Sequence, residues 1–321
     1  MIVCSGLVAF LFYLPASAGP SPTGKADAQA RVQAQFIARQ LISADRDRRK
    51  NQTAQALQTC NEIIARAPNT VRAYLIKARC CMDLHQEAQA LRLIQQALKI
   101  NPRSSEAHLE YGRWYRNQRN NEKAMTKFEL ALKLDPHQHE VYHSIAGLAE
   151  QTGQDQKALS AYNAMVKAEP GEITNFDMRG DFLRRLGRDK EATADYSLVL
   201  SKDIKNFAVR SKRAALYFKQ GLLIQALGDY SIVVQENPYD AESLTSRAAV
   251  RLALKQTKEA LADISRAIDL DANDARSYYV RGRVRLALGD KAGSAADINK
   301  AAAMGYRKEG DEARSNLILE R

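Results

Sequence analysis

The stretch SEAHLEYGRWYRNQRNNEKAMTKFELALKLDPHQ, residues 105–138, decides how the rest of the chain is read. Its Pro136 is one of five prolines, Pro68, Pro102, Pro136, Pro170 and Pro238, spaced by 34, 34, 34 and 68 residues. A fixed period of this size is the mark of a stacked repeat. By length alone, 321 residues would suggest two or three globular domains at about 100–200 residues each. Instead, eight 34-residue frames run from Ile37 to Lys308 without insertion or deletion. A composition of 45% hydrophobic and 26% charged residues suits a folded chain rather than a disordered one.

The frame holds at positions the prolines did not choose. Position 8 is small throughout: Ala44, Ala78, Gly112, Ala146, Gly180, Ala214, Ala248 and Gly282. Position 20 is Ala56, Ala90, Ala124, Ala158, Ala192, Ala226 and Ala260, with Ser294 last. Small residues at these two points let a first and a second helix approach closely. Position 24, one turn after position 20 and on the same helical face, is Cys60, Ile94, Phe128, Tyr162, Tyr196, Tyr230, Ile264 and Ile298, large enough in most units to fill the gap. Gly153, Gly187, Gly221 and Gly289 at position 15 suit the end of the first helix. The proline at position 32 ends the second helix, and Thr70, Ser104, Asn206, Asp240 and Asp274 at position 34 are expected to cap the next one.

With Tyr111-Gly112, Tyr115, Ala124, Phe128, Ala131 and Asp135-Pro136 in the opening stretch, the sequence resembles the tetratricopeptide repeat (TPR) family. The resemblance covers residues 37–308, eight units in one phase. It departs from the family pattern at Gln40, Ser43 and Asp47 of repeat 1, where large apolar residues are expected, and at Ile204 and Ala272, which stand in place of proline. It implies an all-α fold, a right-handed α-solenoid of stacked antiparallel helix pairs whose concave groove binds peptides or partner helices.

The resemblance further places positions 2, 5, 9 and 12 of the first helices in that groove, which makes Arg72, Arg79, Arg113, Arg116, His143, Arg184, Phe218, Tyr279 and Arg283 the candidate partner-binding residues. The arginines of repeats 2 and 3 would suit an acidic or C-terminal segment, because a guanidinium grips a carboxylate with two hydrogen bonds. The competing reading is that Glu106 and Glu110 neutralise them locally. Chaperone-binding relatives use Lys and Asn at positions 5 and 9 of one repeat; Leu75 with Arg79, or Leu109 with Arg113, does not match, so a chaperone-tail clamp is disfavoured.

Before the repeats, Ile2–Leu14 is uncharged and nearly all apolar, and Ala16-Ser17-Ala18 follows as a small-x-small site. This predicts a signal peptide over residues 1–18, cleaved after Ala18, and a periplasmic or secreted protein. The competing reading is a longer transmembrane segment whose start lies upstream. Thirteen residues would span about 20 Å as a helix, short of a bilayer core of about 30 Å, so no stable membrane span is expected. Residues 19–36 are expected to form a linker and N-terminal cap, and residues 309–321, with Ala313, Leu317 and Ile318 at helical spacing, a C-terminal capping helix over repeat 8.

Repeats 5 to 8 share Arg at position 7 (Arg179, Arg213, Arg247, Arg281) and Asp at position 23 (Asp195, Asp229, Asp263, Asp297), and repeats 1 to 4 have neither. In antiparallel helices touching at positions 8 and 20, positions 7 and 23 lie near each other, which predicts Arg–Asp bridges within or between units. His137, His139 and His143 invite a metal reading, but a surface cluster at a helix start is the preferred one. Cys60, Cys80 and Cys81 read as packing cysteines, with a bridge from Cys60 to Cys80 or Cys81 as the alternative. No phosphate loop, nucleophile elbow, His-Glu-x-x-His or dinucleotide fingerprint is present, so no catalytic residue, metal or cofactor is assigned.

The net charge of +11 is uneven: residues 19–104 carry +8 and repeat 8 carries +6, around a nearly neutral middle. A polyanion binder calls for one continuous basic track, so no nucleic acid is expected. The leading expectation is a non-enzymatic scaffold for a protein or peptide partner. The alternative is an electrostatic binder of an anionic envelope polymer or membrane surface through the basic end repeats.

Overall fold

A computed structural model describes residues 24–306, with side chains from residue 29. The expected signal peptide (1–18) and C-terminal capping helix (309–321) lie outside the described residues. Sixteen helices follow one another, with no strand among the described residues: α1 (Gly24–Arg49), α2 (Thr53–Arg66), α3 (Val71–Asp83), α4 (Glu87–Ile100), α5 (Ser105–Asn117), α6 (Asn121–Leu134), α7 (His139–Gln151), α8 (Asp155–Ala168), α9 (Ile173–Arg185), α10 (Asp189–Lys202), α11 (Phe207–Lys219), α12 (Leu223–Glu236), α13 (Ala241–Ala253), α14 (Thr257–Leu270), α15 (Ala275–Ala287) and α16 (Lys291–Ala303). From α3 on, each first helix starts at position 1 of its frame and each second helix at position 17. The fold is an α-solenoid of stacked antiparallel helix pairs, as the family resemblance implied. Residues 19–36 were expected as linker and cap; the chain is helical from Gly24. The physical reason is local: the Ala-rich run from Lys25 to Arg49 contains neither Gly nor Pro.

The turn between the two helices of a unit has one conformation in all eight repeats. Position 15 is left-handed everywhere, at Gly153, Gly187, Gly221 and Gly289 (φ 69°, 72°, 77° and 87°) but also at Asn51, His85, Arg119 and Lys255 (φ 63°, 57°, 58° and 61°). Glycine marked half of these turns, and the other half accept side-chain strain in the same geometry. At position 34, the side chains of Ser104, Asn206, Asp240 and Asp274 accept backbone N–H bonds of the following helix, whereas Thr70 makes no such bond. Glu172, which the reading of caps passed over, accepts one from Thr174.

Close approach at positions 8 and 24 is direct. A Cβ on Gly180 would lie 2.7 Å from the Tyr196 ring, and one on Gly282 would lie 2.8 Å from Ile298; the Phe128 ring occupies the same place over Gly112. The small residues at positions 8 and 20 are buried in every unit. Filling such a gap with a buried aromatic contributes about 1.5–3 kcal/mol per side chain.

Among the described residues the chain divides into two compact units at the boundary of repeats 3 and 4, one up to Gln138 and one from His139 on. In the first, Ala44, Cys60 and Ile76 form one core cluster and Leu75, Ala97 and Ala107 another. The second has a cluster around Phe176, Leu183, Tyr196 and Val199, and a larger one running from Ala214 to Ala301.

Within the second unit, each predicted Arg–Asp pair forms inside its own repeat. Nε and Nη2 of Arg179, Arg247 and Arg281 donate to both oxygens of Asp195, Asp263 and Asp297 at 2.7–2.9 Å, and Arg213 holds Asp229 in the same way. The remaining Nη1 reaches back to the preceding repeat in two cases, Arg179 to Asn163 at 2.9 Å and Arg213 to Ser197 at 3.1 Å. In the first unit, repeat 3 replaces the pair by Lys127 over the Tyr111 ring, 5.0 Å from its centroid.

Candidate functional site

The candidate face of the first unit is built on α3 and α5. Arg72 sits in the first turn of α3, its Nε 3.9 Å from Glu106. Two turns on, Arg79 is only 8% exposed. Its guanidinium meets three carboxylates: Glu110 at 2.8 Å, Glu106 at 3.2 Å and Asp45 of α1 at 3.6 Å. Glu110 is 0% exposed and also takes Arg113 at 2.7 Å. Arg79 is therefore an internal cation rather than a surface one, and its neutralisation extends beyond Glu106 and Glu110 to Asp45, a partner from the preceding repeat. A buried carboxylate between two guanidiniums is a high-stakes arrangement, because removing one partner strands a desolvated charge. Arg116 is different. It is exposed and has no ion-pair partner among the described residues. Desolvation by its neighbours first, and then the Arg113 charge beside it, push its pKa down against the opposing pull of Glu110, so this corner of the face carries a cation with no direct ion pair.

The candidates of the second unit do not form one cluster. His143 lies on α7 and Arg184 on α9, where its Nε is 4.0 Å from Asp181. Asp181 and Asp177 both bind Lys212, at 2.7 and 2.8 Å, and Tyr196 donates to Asp181 at 2.7 Å. Phe218, expected in the groove, is 4% exposed and sits in the core with Ala214, Tyr230, Leu244 and Ala248. A large ring gains more from the interface with the next helix pair than from solvent. Tyr279 stacks on Tyr306 with centroids 4.6 Å apart, and Arg283 donates to the Tyr279 hydroxyl at 3.3 Å.

Helix pairs of this length, turn and small-residue register repeat through both units. Residues 48–110 and 82–139 each match a tetratricopeptide-repeat family model. Residues 48–139 are thus tetratricopeptide repeats, and the helix pairs around them have the same fold. Solved structures show the same fold. That of YrrB, described as a TPR protein with an unusual peptide-binding site, is similar at 17% identity and TM-score 0.51 over 57% of this chain and 95% of that one. A tetratricopeptide repeat protein from Parabacteroides merdae is similar at 23% identity and TM-score 0.50 over 75% and 95%. PilW, described as a type IV pilus biogenesis factor, is similar at 18% identity and TM-score 0.50 over 64% and 96%. No curated protein matches the sequence. As a tetratricopeptide array the chain is a protein-interaction scaffold, and neither matching model belongs to a catalytic family.

Other constellations in the array are explained by packing. His139 Nε2 is 3.5 Å from Glu169, and among the described residues no three His, Cys, Asp or Glu side chains converge as a metal site. Cys60, Cys80 and Cys81 are free and buried. Burial pushes the Cys60 thiol up to about 12 and the Cys80 thiol to about 11, and raises Cys81 as well. No described helix is long and apolar enough to cross a membrane.

Sequence reasoning missed a cavity of about 260 Å³ in the second unit, lined by Asn163, Arg179, Leu183, Arg188, Glu191 and Asp195 among others. In repeats 7 and 8, position 11 is Arg251 or Arg285, which reaches Asp263 at 2.6 Å or Asp297 at 2.8 Å. In repeat 5 it is Leu183, too short and apolar to do so, and the space stays open. The polar groups around it satisfy one another: Arg188 binds Glu191 at 2.7 Å, and Arg179 binds Asp195 and Asn163.

Proposed function

We propose that this array is a non-enzymatic scaffold, exported to the cell envelope or beyond, that takes an acidic or C-terminal segment of a partner protein on the α3–α5 face of its first unit. The observation that carries the reading is Arg116, an exposed guanidinium without an ion pair among the described residues, beside Arg113. Arg113 itself is held by the buried Glu110, so this one guanidinium of the pair is preorganised before a ligand arrives. Arg72, whose nearest carboxylate is at 3.9 Å, completes the cationic surface. The similarity in fold to YrrB, whose structure is described as having a peptide-binding site, supports peptide binding in general and no particular ligand. Export is supported by the apolar run Ile2–Leu14 and by Ala16-Ser17-Ala18.

The test uses the exposed Arg116 and the half-buried Arg72. Reversing Arg79 would leave Glu110 buried beside a like charge and unfold the unit, so it cannot report on binding. Acidic peptides with a free carboxyl terminus are titrated by fluorescence anisotropy against the parent chain and an Arg72→Glu/Arg116→Glu variant. Affinity is expected to drop about tenfold or more, the size of effect that losing charge-assisted contacts produces. Equal affinity for both chains would remove the assignment. N-terminal sequencing of protein from the envelope or culture medium is expected to begin at Gly19; recovery of intact Met1 in the cytoplasm alone would overturn export.

A further inference from the structure

α1 stands apart from the other first helices. It runs 26 residues, twice the 13 of α3 or α5, and among the described residues no second helix precedes it, so a face that later repeats bury stays at the surface. At 100° per residue, Arg31, Val32, Phe36, Arg39, Ile42 and Arg46 fall within an arc of about 140°. Val32 is 65% exposed, and Phe36 and Ile42 are 42% exposed each. Arg31, Arg39 and Arg46 are exposed too, and Arg39 and Arg46 have no ion-pair partner among the residues whose side chains are described. The α1 carboxylates whose side chains are described are engaged elsewhere: Asp45 binds Arg48 and Arg49, at 3.6 and 2.8 Å, and Asp47 accepts from Ser43. Arg66 of α2 lies over the Phe36 ring at 5.3 Å and adds a further exposed cation at the edge, with Glu62 as the one acidic group beside it in the small pocket they share.

Cations and large apolar groups are thus interleaved on one convex helical surface. A second copy of the chain is a poor occupant, because the helix has six basic residues against three acidic ones and would face its own charge. The lipid–water boundary accepts this mixture: apolar side chains enter it while guanidiniums extend to the phosphates, which Arg binds with two hydrogen bonds. We propose that the exposed face of α1 docks on an anionic phospholipid surface. This goes beyond the peptide reading and uses none of its residues, so either can fail alone.

Each guanidinium near an anionic leaflet strengthens binding about fivefold, so three together contribute about a hundredfold. The full chain is floated with vesicles of phosphatidylcholine alone and of phosphatidylcholine mixed with phosphatidylglycerol. Stronger binding to the mixed vesicles is expected, weakening as salt rises. An Arg31→Glu/Arg39→Glu/Arg46→Glu variant should lose that difference, by about a hundredfold or more, and Val32→Ser/Phe36→Ser should weaken binding about tenfold; circular dichroism of both should match the parent. Parent and variants share the apolar run Ile2–Leu14. Equal attachment of all three chains, or equal attachment of the parent to both vesicle types, would therefore overturn the proposal, as would no binding to either. Polyglutamate retained by the parent and lost by the arginine variant, with vesicles ignored, would assign the face to an acidic protein instead.

Discussion

Arg213 holds both carboxylate oxygens of Asp229, through Nε at 2.8 Å and Nη2 at 2.9 Å, and Arg210 adds a third contact at 3.1 Å. Asp229 and Arg210 are buried, so the first and second helices of repeat 6 are joined by a desolvated, two-point ionic contact. The Asp229 hydrogen bonds raise the pKa of Arg213 still further.

Asp229→Ala is expected to cost about 3 kcal/mol, because it leaves two guanidiniums without a counter-ion and one of them buried. Arg213→Ala should cost less, about 1–2 kcal/mol, since Arg210 still meets the carboxylate. A double-mutant cycle by urea unfolding should give a coupling above about 1 kcal/mol, and zero coupling would show that the contact stabilises nothing.

Position 15 offers a test of backbone strain. Arg119 and Lys255 hold φ of 58° and 61° without a glycine. Relief of left-handed strain, offset in part by the freer unfolded chain, predicts that Arg119→Gly and Lys255→Gly each raise stability by about 0.5–1 kcal/mol. Gly221→Ala, at φ 77°, should lower it by about 1 kcal/mol. Thermal midpoints moving the opposite way would contradict the common turn geometry.

Two helical glycines should respond with opposite signs. Gly180 faces the buried Tyr196 ring, 2.7 Å from where its Cβ would stand, so Gly180→Ala is expected to cost about 1–3 kcal/mol. Gly228 lies within α12 with nothing within 4 Å of that point, and Gly228→Ala should add up to about 1 kcal/mol of stability through helix propensity. Chemical unfolding of the two variants against the parent decides it.

The cysteines predict a loss of stability in alkali. Unfolded thiols ionise near their ordinary value of about 8.5, whereas Cys60 and Cys80 in the folded chain keep their protons to about 12 and about 11. Above about pH 8.5 the unfolded state therefore sheds protons the folded state retains, and stability falls as pH rises toward those values; below it the contribution is complete. The urea midpoint should be lower at about pH 10 than at about pH 7. A thiol reagent at neutral pH should label the three cysteines in denaturant and spare them in the native protein.

Much of this was legible because a repeat makes long-range structure local. The partners of each Arg–Asp bridge are 16 residues apart inside one frame, so Arg247 with Asp263 could be read from spacing alone. The same holds for Gly180 beneath Tyr196. The turn at Lys255 was not legible: its left-handed φ is imposed by the two helices it joins, and no glycine announces it.

The amino-acid sequence by itself determined the period, the helix pair in each frame, the small-against-large packing and the bridges, because all of these are settled within 34 residues. Which polar groups face a partner was decided by tertiary structure. Arg79 looks like a surface cation in its own repeat, yet it is neutralised by Asp45 from the repeat before and by Glu106 and Glu110 from the repeat after. Phe218 likewise turns into the core it shares with Leu244 and Ala248 of the next helix pair. Exposure and net charge at a point are sums over neighbouring helices, and no single frame contains all the terms.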